Sequence, residues 1–291
     1  MPDSDLSVFS KEQLDRVVAA EVLRSMRKCT RSSAPCGVLL AGQPGAGKTV
    51  ISSMVMSSVL DNDGTLINAD EFRRLHPNYH RLHELYGSDA VELTAKFSSA
   101  VTESLIAALS DQGINLVIEG TGRTVEVPQK TATLLAAKGY TVELAVIAAR
   151  PEISLISTVL RFYQMNERGT IPRSTALEAH DRTVDALPAN LDILLTLPVL
   201  SQITIWDREL QMLYNSTEDP EALPSEALRR YWYRAWDDEE IRYARGQIEL
   251  LRMKETEKQL GQSALIDLIE DRVENVVEIQ QRRSGPELTM W

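Results

Sequence analysis

Residues 42–49 read GQPGAGKT. Glycine at 42, 45 and 47 lets a chain wrap through backbone angles closed to other residues. Successive N–H groups in such a wrap converge on an anion. Lys48 then reaches the β- and γ-phosphates of a nucleotide, and the Thr49 hydroxyl reaches a magnesium ion. Gly42, Gln43, Pro44, Gly45, Ala46, Gly47, Lys48 and Thr49 therefore read as a loop that binds the phosphates of a nucleotide together with Mg²⁺. The flanks agree. CGVLLAG before the loop suits a buried strand, and KTVISSMVMSSVL after it suits a helix whose N-terminus adds positive potential at the phosphates.

Other residues have the types that phosphoryl transfer needs. Asp70 follows a second apolar run, GTLINAD, and has two readings: a cap for the helix that follows, or a general base that takes the proton of an acceptor hydroxyl. Glu119 closes the run LVIEG; it can hold Mg²⁺ through water or bind the acceptor. Thr121, Gly122 and Arg123 continue that loop toward the acceptor, or simply form a turn. Arg161, Arg168 and Arg173 bracket RFYQMNERGTIPR, where guanidinium groups can stabilise the charge of a transferring phosphoryl group or lie solvated. Glu103 reads by itself as a solvated glutamate on a helix. His76, His80, His83 and His180 have no metal-site spacing and read as surface or packing residues.

These side chains need elements to position them. Residues 10–32 read as a leading helix with Ser10 as its cap. Strands follow at the loop, at 64–70, in INLVIEGTG, in TVELAVIAA and in SQITIWDR. Between them lie a short helix over 71–76, a long one over 89–110, one opened by Pro128 and closed by Gly139, one over 151–167, and one entered from the loop RGTIPRSTALEAHD. Strands alternating with helices imply an α/β fold: a mostly parallel five-stranded sheet with helices on both faces. Ligands in such sheets sit beyond the carboxyl ends of the strands. From 222 the chain is charged and strandless and reads as two helices. Three parts follow: an N-terminal helix packed on the core (1–35), a nucleotide-binding domain (36–221) and a helical C-terminal extension (222–291).

Composition narrows the function. The 291 residues carry a net charge of −11, which argues against nonspecific binding to nucleic acid. No run reaches the length of a membrane span, and the N-terminus lacks a signal-peptide layout. Cys29 and Cys36 form neither a metal pattern nor a disulfide framework. A reducing cytoplasm is the expected location.

Six stretches, in order, resemble the zeta toxins of bacterial toxin–antitoxin systems, which are UDP-N-acetylglucosamine kinases: LLAGQPGAGKT, INADEFRRLHPNY, LSDQGINLVIEGTGRT, VPQKTATLLAAKGY, AHDRTVDALPANL and ITIWDRE. The resemblance implies a P-loop kinase fold and transfer of the ATP γ-phosphate to the 3′-hydroxyl of the N-acetylglucosamine unit, which blocks cell-wall synthesis. It implies that Lys48 is the phosphate lysine and Asp70 the catalytic base. It further implies that Glu103, Glu119 and Thr121 contact the acceptor, with Arg123 beside them, and that Arg161 and Arg173 contact phosphate. A small helical antitoxin, in a two-plus-two assembly, is the implied partner. Two other readings stay open on the residues themselves: a kinase of another small hydroxyl compound, and a nucleotide-driven switch. The second lacks an Asn-Lys-x-Asp segment for reading guanine.

Overall fold

The computed structural model describes residues 4–284. Its strands are β1 (Cys36–Ala41), β2 (Thr65–Asn68), β3 (Leu116–Glu119), β4 (Thr141–Ile147), β5 (Gln202–Trp206) and β6 (Met212–Asn215). Their order across the sheet is β2-β3-β1-β4-β5-β6, with β6 alone antiparallel. The sheet thus has six strands, one more than the sequence pattern gives. The extra strand hides from periodicity because it is four residues long, lies at an edge and buries only Tyr214.

The α-helices among the described residues are α1 (Lys11–Met26), α2 (Lys48–Met54), α3 (Ala69–Phe72), α4 (Tyr79–Tyr86), α5 (Ala90–Leu93), α6 (Ala95–Ser110), α7 (Glu126–Ala136), α8 (Pro151–Glu167), α9 (Leu177–Leu195), α10 (Pro224–Tyr233), α11 (Asp238–Lys258) and α12 (Ser263–Ser284). Ser10 does cap α1: its Oγ accepts from the Gln13 N–H at 3.1 Å while Gln13 Oε1 accepts from the Ser10 N–H at 2.8 Å. The helix is shorter than the expected 10–32 and packs against α6. The long helix expected over 89–110 is broken at Thr94, a buried residue whose hydroxyl donates to the Ala90 carbonyl at 2.8 Å. Such a local bond competes with the helix ladder.

Side chains alternate across β1, and so do the two layers. Leu39 and Ala41 face the core that α6, α7, α9 and α10 cover. Val38 and Leu40 face Ile51 and Val55, which follow the loop. β1 has β3 on one side and β4 on the other, so its carboxyl end opens at the sheet's switch point, where ligands bind.

Among the described residues beyond 222 there are three helices rather than two. α10 places Leu228 and Trp232 in the same core as the sheet. α11 and α12 form a hairpin that buries Ala244, Ile248, Leu251, Ile266, Ile269 and Val273 against α8. Because α8 carries Arg161, the hairpin braces a helix of the candidate site. Leu251 is fully buried in that seam. Leu251→Ala should cost about 3 kcal/mol of stability, read from urea denaturation.

Candidate active site

The phosphate loop is built on one close approach and one left-handed residue. A Cβ on Gly45, whose φ is +77°, would stand 2.0 Å from the Ser154 carbonyl oxygen, so only glycine lets the loop lie on α8. Gly47 ends the wrap at φ +104° and caps α2. Inside the loop, Lys48 Nζ donates to the carbonyls of Gly42 (2.9 Å) and Gln43 (3.3 Å). Burial pushes the Lys48 ammonium below its ordinary value; Glu119 and Asp70 oppose this, while Arg161 adds to it.

β2 ends at Asn68, and this residue, not Asp70, caps α3: Asn68 Oδ1 accepts from the Asp70 N–H at 2.9 Å. Asn68 Nδ2 also donates to Glu119 Oε2 at 2.6 Å, tying the ends of two adjacent strands. The Asp70 carboxylate is thereby left free of capping. It accepts from Arg73 Nε at 3.0 Å, and half of its side chain stays exposed. Burial raises its pKa, but the Arg73 hydrogen bond and the charges of Arg73, Arg173 and Arg161 outweigh that and hold the group below the usual carboxylate value. Arg173, on the loop between α8 and α9, donates from Nη1 to the Asp70 carbonyl at 2.8 Å. Glu119 goes the other way: burial raises it, Lys48 and Arg161 pull it down, and Asp70 pushes it further up.

The fold therefore brings Lys48, Asp70, Glu119, Arg161 and Arg173, from five separate segments, within electrostatic reach of one another at the crevice beyond the strand ends. Thr121 lies beside them, its carbonyl accepting from the Gly42 N–H at 3.2 Å. Arg123 is exposed, with its N–H on Thr121 Oγ1 at 3.3 Å. Glu103 stands apart: it is exposed on α6 and paired with Lys130 of α7 at 3.3 Å. Arg168 ends α8 and is exposed.

Two residues were not singled out by type and spacing. One is Asn68. The other is Arg208, just beyond β5, which donates from Nε to the Ala46 carbonyl (3.1 Å) and from Nη2 to the Gly45 carbonyl (2.7 Å) and Ser157 Oγ (2.8 Å). Pinning the Ala46 carbonyl outward turns the Gly47 N–H, which shares its peptide plane, toward the anion. The signal for Arg208 was its place at the carboxyl end of a strand.

Thr49 is exposed on the first turn of α2, and its carbonyl, not its hydroxyl, is engaged, by Ser52 and Ser53. The Thr49 hydroxyl and the strand-end Glu119 carboxylate are hard oxygens of the kind that suits a Mg²⁺ keeping most of its water. Among the described residues no group of three or more His, Cys, Asp or Glu is placed to hold a metal. A cation carried in by phosphates does not need one.

A phosphate loop at the switch point of a parallel sheet, faced by a strand-end acid and several arginines, is the P-loop kinase fold of a phosphotransferase. Residues 19–219 match the family described as Zeta toxin. The chain belongs to that family. It is similar to a toxin zeta of Streptococcus agalactiae (33% identity, 94% of each chain covered) and to one of Streptococcus pyogenes (40% identity over 74% of this chain and 75% of the relative). A solved structure from the PezAT chromosomal toxin–antitoxin system of Streptococcus pneumoniae superposes with a TM-score of 0.77 at 32% identity, covering 85% of this chain and 99% of that one. The AvrRxo1-ORF1:AvrRxo1-ORF2 complex with ATP shares the fold at a TM-score of 0.56 and 14% identity, over 81% of this chain and 79% of that one.

The raised Glu119 has a consequence for stability. Its folded-state pKa lies above the ordinary 4.5, so the folded protein binds more protons between the two values and stability falls as pH rises through that window. Glu119→Gln, which keeps an acceptor for Asn68, should therefore unfold at a higher temperature than the parent at pH 7. The difference should vanish below about pH 4.5, as thermal melts at several pH values would read.

Proposed function

We propose that the chain transfers the γ-phosphate of ATP to the 3′-hydroxyl of the N-acetylglucosamine unit of UDP-N-acetylglucosamine, and that this diverts a cell-wall precursor. The observation that carries the transfer is the convergence of Lys48, Asp70, Arg161 and Arg173 on one crevice; family membership supports the acceptor. Lys48 and the loop N–H groups bind the β- and γ-phosphates. The lysine partners are neutral carbonyls, so the ammonium is free to turn to phosphate without breaking an ion pair. Mg²⁺ would be held by Thr49, with Glu119 reaching it through water, and supplies charge neutralisation between the phosphates.

Asp70 accepts the proton of the acceptor hydroxyl. Its depressed pKa keeps it ionised near neutrality. Arg161 and Arg173 face the phosphoryl oxygens as charge spreads over them. Arg173, already anchored on the Asp70 carbonyl, couples the position of the base to that of the phosphoryl group. Glu119 and Thr121 border the acceptor, with Arg123 on the same loop. A helical antitoxin is the proposed partner, since the similar Streptococcus pneumoniae structure comes from a toxin–antitoxin system.

A second acceptor class, another small hydroxyl compound, is favoured by one observation: Glu103, the implied sugar contact, is exposed and paired with Lys130 of α7. The deciding experiment incubates the protein with ATP, Mg²⁺ and a panel of UDP-sugars, nucleosides and aminoglycosides, and looks by mass spectrometry for the gain of one phosphate. Phosphorylated UDP-N-acetylglucosamine is the expected product. A phosphate on a nucleoside or an aminoglycoside alone overturns the assignment.

Two variants test the roles. Asp70→Asn should lower kcat by roughly 10²- to 10⁴-fold while ATP affinity, read by calorimetry, changes little. Glu103→Ala should weaken binding of UDP-N-acetylglucosamine and leave ATP binding unchanged; equal sugar-nucleotide affinity for both proteins removes Glu103 from the acceptor site.

A further inference from the structure

One buried array lies behind the phosphate loop and outside the charged crevice. Ser154, on the first turn of α8, His180, on α9, and Gln43, in the loop, all have 0% exposure. His180 Nε2 lies 2.8 Å from Ser154 Oγ, and its Nδ1 lies 3.0 Å from Asp181 Oδ1. Asp181 accepts from Arg272 of α12 at 3.0 and 2.7 Å. On the other side, Gln43 Nε2 donates to Ser154 Oγ at 3.3 Å and to the Ala149 carbonyl at 2.6 Å. Serine, histidine and aspartate stand in the order of a hydrolase triad, yet the serine hydroxyl is sealed between α8, α9 and the loop. No substrate can reach it, so nucleophilic catalysis is excluded here.

The array has a direction. Burial holds His180 below the ordinary imidazole value against the pull of Asp181, so the ring is neutral. Facing a carboxylate, Nδ1 carries the proton, and Nε2 is then an acceptor that shares the Ser154 hydroxyl proton with the Pro151 carbonyl, 2.8 Å from the same Oγ. Ser154 Oγ in turn accepts from Gln43. The Gln43 backbone carbonyl accepts from Lys48 Nζ at 3.3 Å and from the Ala46 N–H at 3.1 Å. Gly45 lies on the carbonyl of the same Ser154. Thus the hydroxyl that His180 fixes holds the side chain of Gln43, the residue whose carbonyl helps seat the phosphate lysine.

We infer that His180 is a positioning residue for the phosphate loop. It acts through Ser154 on Gln43, and it is itself oriented by Asp181 and, from the C-terminal hairpin, by Arg272. The kinetic part of this role rests on the proposed use of ATP; the mechanical part does not.

Two replacements separate the ring's two bonds. Asparagine sets an amide near the place of Nδ1, keeping Asp181 and losing Ser154. Glutamine reaches the place of Nε2 and keeps Ser154. Hydrogen–deuterium exchange is measured on the nucleotide-free full chain, following peptides that cover 42–49, β3, β4, α8 and α9. In His180→Asn the loop amides should exchange about fivefold faster, the scale set by loss of one neutral hydrogen bond, with β3, β4, α8 and α9 as in the parent. In His180→Gln they should stay within about twofold. Arg272→Met should speed the loop less than His180→Asn does.

If His180→Asn does not fold, Ser154→Ala removes the same link with the loss of one hydroxyl, and the same loop-confined rise is expected. In turnover, His180→Asn should raise KM for ATP and leave KM for the acceptor unchanged. Loop exchange at the parent rate in the asparagine variant overturns the inference. So does equal loosening of α8, α9 and the loop, which would mark His180 as a packing residue only. A parent protein that binds no ATP removes the nucleotide reading, while the exchange pattern still decides the positioning role.

Discussion

A lysine ammonium taken partly out of water, with neutral carbonyls as its hydrogen-bond partners, is the constraint on which the site depends. Burying a charge without a partner is costly, and Lys48 rests on the carbonyls of Gly42 and Gln43. Its nearest relief is the field of Glu119 and Asp70. Those carboxylates answer to different neighbours: Asp70 is hydrogen-bonded to Arg73, whereas Glu119 has a neutral amide, Asn68. With Arg161 and Arg173 added, positive groups outnumber negative ones around the crevice. Such a site is completed by an anion, and the arrangement is held ready for it by contacts on the outer side of the loop.

Those outer contacts explain why the helices matter to the chemistry. Arg208 grips two loop carbonyls and also Ser157, one turn before Arg161 on α8. α8 therefore touches the loop through Ser154, shares Arg208 with it through Ser157, and presents Arg161 to the crevice. The hairpin of α11 and α12 packs on the far side of this same helix. The Tyr163 hydroxyl, which donates to Glu255 of α11 at 2.6 Å, adds a polar tie to that apolar seam.

The strand, loop and helix around Lys48 were legible because glycine spacing, an apolar run and a helix start all speak locally. So was the alternation of strands and helices that sets the parallel sheet. Less legible was β6, whose edge position buries one side chain. The break at Thr94 also escaped, because a threonine bonding back to Ala90 looks like any threonine in a helical pattern. In the site, Asp70 had two readings in sequence, and the structure assigns the cap to Asn68, two residues earlier. The contacts of Asn68 and Arg208 escaped because their partners lie 51 and 162 residues away along the chain. His180, expected as a surface or packing residue, is wholly buried and hydrogen-bonded on both ring nitrogens. Its polar role depends on neighbours that spacing does not reveal.

The parallel order of the sheet also sets when the loop acquires its shape during synthesis. β1 takes its neighbours from residues 116–119 and 141–146, and the loop that follows it is held from outside by Ser154, His180 and Arg208. Non-local pairings of this kind close late, and a chain leaves the ribosome from its N-terminus. A nascent chain that has displayed GQPGAGKT but not yet residue 208 has the glycines and the lysine without the clasp that turns them toward phosphate. The phosphate loop is thus made early and finished late, and a translation product that ends before residue 208 lacks the clasp on the Gly45 and Ala46 carbonyls.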